Sequence, residues 1–266
     1  MTGFHVKGLC AGYGAKRVID DLSFSLEGGR MMGILGANGS GKTTLIRSVC
    51  GILPHEGECV LEGTRLEKLS ARKLSQKCSY IPQRSGIGID ISALDVVLMG
   101  FNPHLGLLAH PSETMKSQAL QALEQAGIGD MAEMNYQHLS EGQKQLCILA
   151  RTLVAQSRLL LLDEPESALD LRFRYRMLSI IQQWVRQDNR FALVALHDPM
   201  LALNGCDELL LLKGGKSIGV LHPAADLLEK MEVQLSALYG RISLVACSDK
   251  LGQKHLVMLK EGEDDL

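Results

Sequence analysis

Residues Gly36-Ala37-Asn38-Gly39-Ser40-Gly41-Lys42-Thr43 fit the pattern G-x4-G-K-[ST] at every fixed position. The compact apolar run Met31-Met32-Gly33-Ile34-Leu35 precedes the glycines, and Thr43 to Val49 has helical character. The segment is therefore predicted as strand, tight loop and helix. Its glycines let the backbone wrap closely, so that successive N–H groups face phosphate oxygens, and the helix that follows adds its positive end. Lys42 can reach the β- and γ-phosphates, and the Thr43 hydroxyl can ligate Mg²⁺. The candidate phosphate-binding set is Gly36, Asn38, Gly39, Ser40, Gly41, Lys42, Thr43 and Thr44.

A phosphate-binding loop of this kind needs a carboxylate for the metal at the end of a buried strand. Leu159-Leu160-Leu161-Leu162-Asp163-Glu164 supplies one. Asp163 is predicted to hold Mg²⁺, and Glu164, pointing to the other side of the chain, to polarise an attacking water.

The rest of the chain reads as an α/β core interrupted by helices. Short strands are predicted at Phe4 to Leu9, Asp21 to Leu26 and Glu58 to Leu61. From Asp90 to about Ala155 the texture is helical, with Ser112 as an N-cap and Gly127 as a stop. Phe191 to Leu196 follows as a buried-type strand, with a helix from about Leu171 to Gln187 before it. Glu208 to Leu212 and Ser217 to Leu221 are predicted as peripheral strands. Ile242 to Ala246 and His255 to Leu259 suggest an added hairpin before the acidic end, Glu261 to Leu266. The net charge of −2 argues against non-specific nucleic-acid binding. No run of 18 apolar residues exists, so no spanning helix is expected, and residues 1–7 do not read as a secretory signal. Seven dispersed cysteines without a CxxC pair read as reduced thiols.

Leu139-Ser140-Glu141-Gly142-Gln143 resembles the signature motif of ATP-binding cassette (ABC) ATPases, usually LSGGQ, and opens a predicted helix from about Gln143 to Ala155. The other family motifs follow in order. Tyr13 resembles the aromatic that stacks on adenine. Gln83 resembles the glutamine that touches Mg²⁺ and the attacking water. Ser167-Ala168-Leu169-Asp170 resembles the loop that crosses the dimer interface. His197 resembles the histidine that contacts the γ-phosphate and steadies Glu164.

The resemblance implies an α/β fold: a P-loop, RecA-like nucleotide-binding core with an antiparallel β subdomain and an inserted α-helical subdomain. The core would span 1–88 and 156–240, the helical part 89–155, and a C-terminal extension 241–266. It implies Mg²⁺-dependent ATP hydrolysis, with ATP and Mg²⁺ as cofactors. The catalytic residues would be Glu164, His197 and Gln83, and the metal residues Thr43, Gln83 and Asp163. Ser140, Gly142 and Gln143 would meet the nucleotide of a second, identical subunit. Asp95-Val96-Val97-Leu98-Met99-Gly100-Phe101-Asn102-Pro103-His104 is similar to a stretch in ATPases of iron-chelate, haem and cobalamin importers, with Phe101 replacing the usual Arg. There a groove near Gln83 and 95–104 would receive membrane permease subunits on the inner face of the cell membrane. Val97, Leu98 and Met99 are expected to form an exposed apolar patch. Cargo would not touch this chain. The alternatives are a cassette serving another substrate and a soluble regulatory ATPase.

Two positions depart from the family pattern. Glu141 replaces a signature glycine, and its side chain is expected to face solvent. Glu166 replaces the threonine common after Glu-Pro, and is expected to modulate rate at most. Neither is expected to abolish turnover.

Overall fold

A computed structural model describes residues 3–83, 86–106, 109–167 and 169–261. Ala168 of the expected interface loop, residues 1 and 2, and residues 262–266 of the acidic end lie outside the described residues.

Strands β1 (Phe4–Tyr13) and β2 (Lys16–Leu26) pair antiparallel and run longer than the sequence pattern suggests. Their outer halves expose polar side chains on one face while Ala11 and Ile19 stay buried. Strand β3 (Arg30–Leu35) enters the glycine loop, which opens helix α1 (Lys42–Val49). Strands β4 (His55–Leu61) and β5 (Thr64–Arg65) complete a four-stranded sheet of order β2-β1-β4-β5. Helix α2 (Ala71–Lys77), capped by the Ser70 hydroxyl, then delivers strand β6 (Cys78–Ile81).

Helix α3 (Ala93–Leu98) starts at a capping box in which Ser92 and Asp95 satisfy each other's main-chain N–H groups. Helix α4 (Glu113–Ala126) runs from the Ser112 cap to Gly127, whose φ of 78° closes it. Helix α5 (Glu141–Val154) starts two residues before the expected Gln143, because Ser140 and Gln143 form a second capping box. These helices share an apolar cluster that includes Val96, Val97, Phe101, Leu123, Leu146 and Leu149. The expected exposed patch is therefore corrected. Val97 and Leu98 are buried, and of the three only Met99 is exposed. Helical spacing turns Val96 and Val97 into the cluster, whereas Met99 lies beyond the last α-helical residue.

The remainder alternates strand and helix: β7 (Leu159–Asp163), α6 (Leu171–Arg186), β8 (Phe191–Ala195), α7 (Pro199–Gly205), β9 (Glu208–Lys213), β10 (Lys216–Leu221) and α8 (Leu228–Tyr239). The hairpin β11 (Ile242–Ser248) and β12 (Lys254–Lys260) follows. The central sheet has the order β10-β9-β3-β8-β7-β6, with parallel neighbours except at the antiparallel edge strand β10. Along β7, Leu160 and Leu162 face one apolar cluster while Leu159 and Leu161 face the other. A strand covered on both faces has no use for polar alternation, which explains the unbroken leucine run. Because β3, β8 and β7 are neighbours, the segments that follow them emerge together at the carboxyl end of the sheet, where α/β folds of this kind bind ligands. Among the described residues no helix is long and apolar enough to cross a membrane.

Candidate active site

The loop after β3 is shaped by close packing. Gly41 has φ 109°, a left-handed conformation that a side chain would strain, and a Cβ there would collide with Ile19. A Cβ at Gly36 would strike the Ser40 hydroxyl and the Leu212 carbonyl. The Ser40 hydroxyl is buried and has no hydrogen-bond partner among the described residues. A buried polar atom left this way is costly unless a ligand completes it.

Lys42 is buried. Its ammonium donates to the Gly36 carbonyl at 2.9 Å and lies 3.3 Å from Glu164 Oε1. The Thr43 hydroxyl donates to Asp163 Oδ1 at 2.9 Å. Burial pushes the Asp163 carboxyl above the ordinary carboxylate range. The Thr43 hydrogen bond pulls it back, and neighbouring Glu164 pushes the same way as burial. A buried carboxylate under that strain, beside a hydroxyl, suits a hard divalent cation bound through oxygen. Among the described residues no group of three or more His, Cys, Asp or Glu could hold a metal unaided. Thr43 and Asp163 could therefore hold a cation whose other ligands are phosphate oxygens and water.

Glu164 leaves the end of β7 with φ 50°, and its N–H donates to the Ala195 carbonyl at 3.1 Å. Gln83 Nε2 donates to Glu164 Oε2 at 2.8 Å. The partners of Glu164 are thus Lys42 and Gln83. His197 lines the same cavity, and its main-chain N–H is held by Glu166 at 2.7 Å.

These groups surround a cavity of about 820 Å³, ample for a nucleotide. Residues 38–44, Tyr13, Gln83, Glu164 and His197 line it, and Tyr13 keeps 47% of its surface exposed. Gly36 and Asp163 stand immediately behind, bonded to Lys42 and Thr43. Ser140, Gly142 and Gln143 do not line the cavity. The Ser140 hydroxyl accepts from the Gln143 N–H, and Gln143 Oε1 accepts from the Ser140 N–H at 2.9 Å. Glu141 turns outward, 73% exposed, and pairs with Lys144 at 2.8 Å.

Lys16, Val18, Glu166, Arg174 and Asp198 also line the cavity and lie outside the set read from sequence. Glu166 carried a signal, since it broke the expected pattern. Nothing local marked Arg174, whose Nε donates to the Leu169 carbonyl at 2.8 Å. Asp198 could have been read as an N-cap before Pro199, and its Oδ1 accepts from the Met200 and Leu201 N–H groups.

Residues 19–167 match the family described as ABC transporter. The hemin import ATP-binding protein HmuV of Bordetella pertussis is 35% identical over 224 residues, covering 81% of this chain and 84% of that protein. An iron chelatin transport ATP-binding protein of Helicobacter pylori is 34% identical, covering 88% and 91% respectively. The cobalamin import ATP-binding protein BtuD of Halobacterium salinarum is 31% identical over 79% of this chain, but the chain spans only about half of it, 53%. Among solved structures, an inward-facing ABC transporter assigned to the metal-chelate type aligns with a TM-score of 0.81 and 27% identity, over 98% of this chain and 99% of that one.

Proposed function

The chain belongs to the ABC transporter family, and on that premise we propose that it is an ATP-hydrolysing cassette subunit that dimerises around ATP and drives import of a metal chelate through separate membrane subunits. The observation that carries this reading is the meeting of Lys42, Thr43, Asp163, Gln83 and Glu164 at the mouth of one glycine loop.

The geometry supports the following division of labour. The N–H groups of residues 38–43 and the Lys42 ammonium bind the phosphates, and Tyr13, at the rim, stacks on the base. Thr43 and Asp163 would hold Mg²⁺, with Gln83 completing the set. The cation, when bound, neutralises phosphate charge. Phosphate oxygens draw the Lys42 ammonium away from Glu164, which frees that carboxylate to accept a proton from water positioned by Gln83. His197 faces the terminal phosphate from the other wall. Ser140, Gly142 and Gln143 sit at a helix N-terminus away from this protomer's cavity, so their anion-binding geometry serves the nucleotide of the partner subunit.

Residues 1–88 with 156–240 act as the nucleotide-binding core, 89–155 as the helical subdomain and 241–266 as an extension. The groove lined by Met99, Gly100, Asn102 and Pro103, facing Ser79 and Tyr80, suits a helix of a permease at the inner face of the membrane. A haem, iron-chelate or cobalamin-like cargo is supported by the relatives' names. Purification of the tagged chain from membranes tests the reading. An integral membrane protein recovered at equal stoichiometry, with Mg²⁺-dependent ATPase activity, is expected. An active ATPase that copurifies only with soluble proteins would overturn it.

A further inference from the structure

Glu166 is 2% exposed and stands in the wall of the nucleotide cavity. Its Oε1 accepts the His197 N–H at 2.7 Å, whereas its Oε2 is buried with no hydrogen-bond partner among the described residues. The need for such an acceptor comes from the sheet. The Leu196 N–H still donates to the Ile34 carbonyl at 3.1 Å, but the His197 N–H is the first beyond it and is offered no strand carbonyl. Left unpaired beside a buried wall, it would cost about as much as a lost hydrogen bond. The carboxyl reaches it across 31 residues of sequence.

Glu166 also belongs to the turn that carries Glu164. The Ser167 N–H donates to the Glu164 carbonyl, and the Leu169 N–H to the Glu166 carbonyl at 3.0 Å. Arg174 braces the far side, bonded to the Leu169 carbonyl and 3.9 Å from Asp198 Oδ2. One side chain therefore joins the turn after β7 to the turn after β8.

We propose that Glu166 is a positioning residue, which holds the His197 turn in register with the Glu164 turn through its hydrogen bond to the His197 main chain. This rests on the ATPase reading for its consequence in turnover, but not for the bond itself. When the turn bearing Glu164 shifts, His197 shifts with it, and the two walls of the cavity move as one.

Amide hydrogen exchange on the full-length chain, with and without ATP, reads the bond directly and requires no turnover. In Glu166→Leu, which keeps the site apolar and filled, the His197 amide is expected to exchange roughly tenfold faster while amides in β8 keep their protection. In Glu166→Gln, whose side-chain carbonyl can still accept, His197 protection is expected to persist. ATPase assays should separate the same pair, with kcat lowered about tenfold in Glu166→Leu and KM for ATP within about twofold, and with Glu166→Gln near the parent. Glu166→Ala removes the acceptor by a second route should the leucine variant not fold. Unchanged His197 exchange in the acceptor-lacking variants, or equal loss in Glu166→Gln, would overturn the proposal. Normal exchange behaviour without any ATPase activity in the parent would instead overturn the functional reading and leave the tie in place.

Discussion

The Lys42 ammonium lies 3.3 Å from Glu164 Oε1 in the candidate site, so the cation proposed to bind phosphate and the carboxylate proposed to activate water neutralise one another. Both groups are largely shielded from solvent, which makes the pair an internal one. On the proposed function, phosphate oxygens replace Glu164 as the counter-charge of Lys42 and free the carboxylate.

Removing the ammonium tests this exchange. Lys42→Ala is expected to weaken ATP binding by roughly a hundredfold, since it deletes a charge-assisted contact in a buried site. Titration calorimetry with ATP measures it. Glu164 keeps Gln83 as a partner, so the fold is expected to survive.

Asp163 carries a pH signature. Burial raises its folded-state pKa above the unfolded value, so the folded chain holds a proton that the unfolded chain has released. The folded state is thus relatively favoured below the unfolded pKa, and that advantage is lost as pH rises through the folded pKa. At neutral pH the ionised carboxylate is a net cost, and Asp163→Asn is expected to melt at a higher temperature than the parent. The difference should shrink on acidification, and Mg²⁺ added together with ATP should stabilise the parent more than the variant. Melting curves between pH 4 and 8, with and without Mg²⁺ and ATP, check both statements.

The C-terminal hairpin is fastened to the core through α7. Asn204 donates to the Leu256 carbonyl at 2.9 Å and accepts the Leu256 N–H at 2.8 Å, so one side chain substitutes for a strand edge. Asn204→Ala strands both main-chain groups in a partly buried setting, at about 1–3 kcal/mol. Limited proteolysis is expected to cut the 242–260 segment first in this variant. α7 begins at the Asp198 cap beside His197, so ATP turnover measured on the same variant reports how far the hairpin steadies that turn.

Leu161 is fully buried in the middle of β7. Leu161→Ala is expected to lower stability by roughly 2–5 kcal/mol, as large cavities in closed cores do. Urea unfolding measures the loss.

These residues mark what the sequence made legible. The leucine run of β7 and the glycine loop could be read directly, because strands buried on both faces and phosphate loops each leave a local pattern. Tyr13, Gln83 and His197 stand out only by resemblance, because they come from the ends of β1, β6 and β8, which lie in two different sheets and meet only in the fold. The Glu166 tie was not legible. Its partner is a main-chain N–H 31 residues away, and a main-chain group has no side-chain identity to read. The apolar character of Val97 and Leu98 was evident while their burial was not, since α5 covers them only once the helices have packed.

The central claim is that two copies close around ATP, each supplying Ser140, Gly142 and Gln143 to the other's cavity. The most direct measurement is gel filtration with light scattering of Glu164→Gln, in the presence of Mg²⁺ and ATP. That variant keeps the shape of the site and lacks the proposed proton acceptor, so it should bind ATP without hydrolysing it and run as a stable dimer that falls apart when ATP is removed. A species that binds ATP and runs only as a monomer would contradict the account.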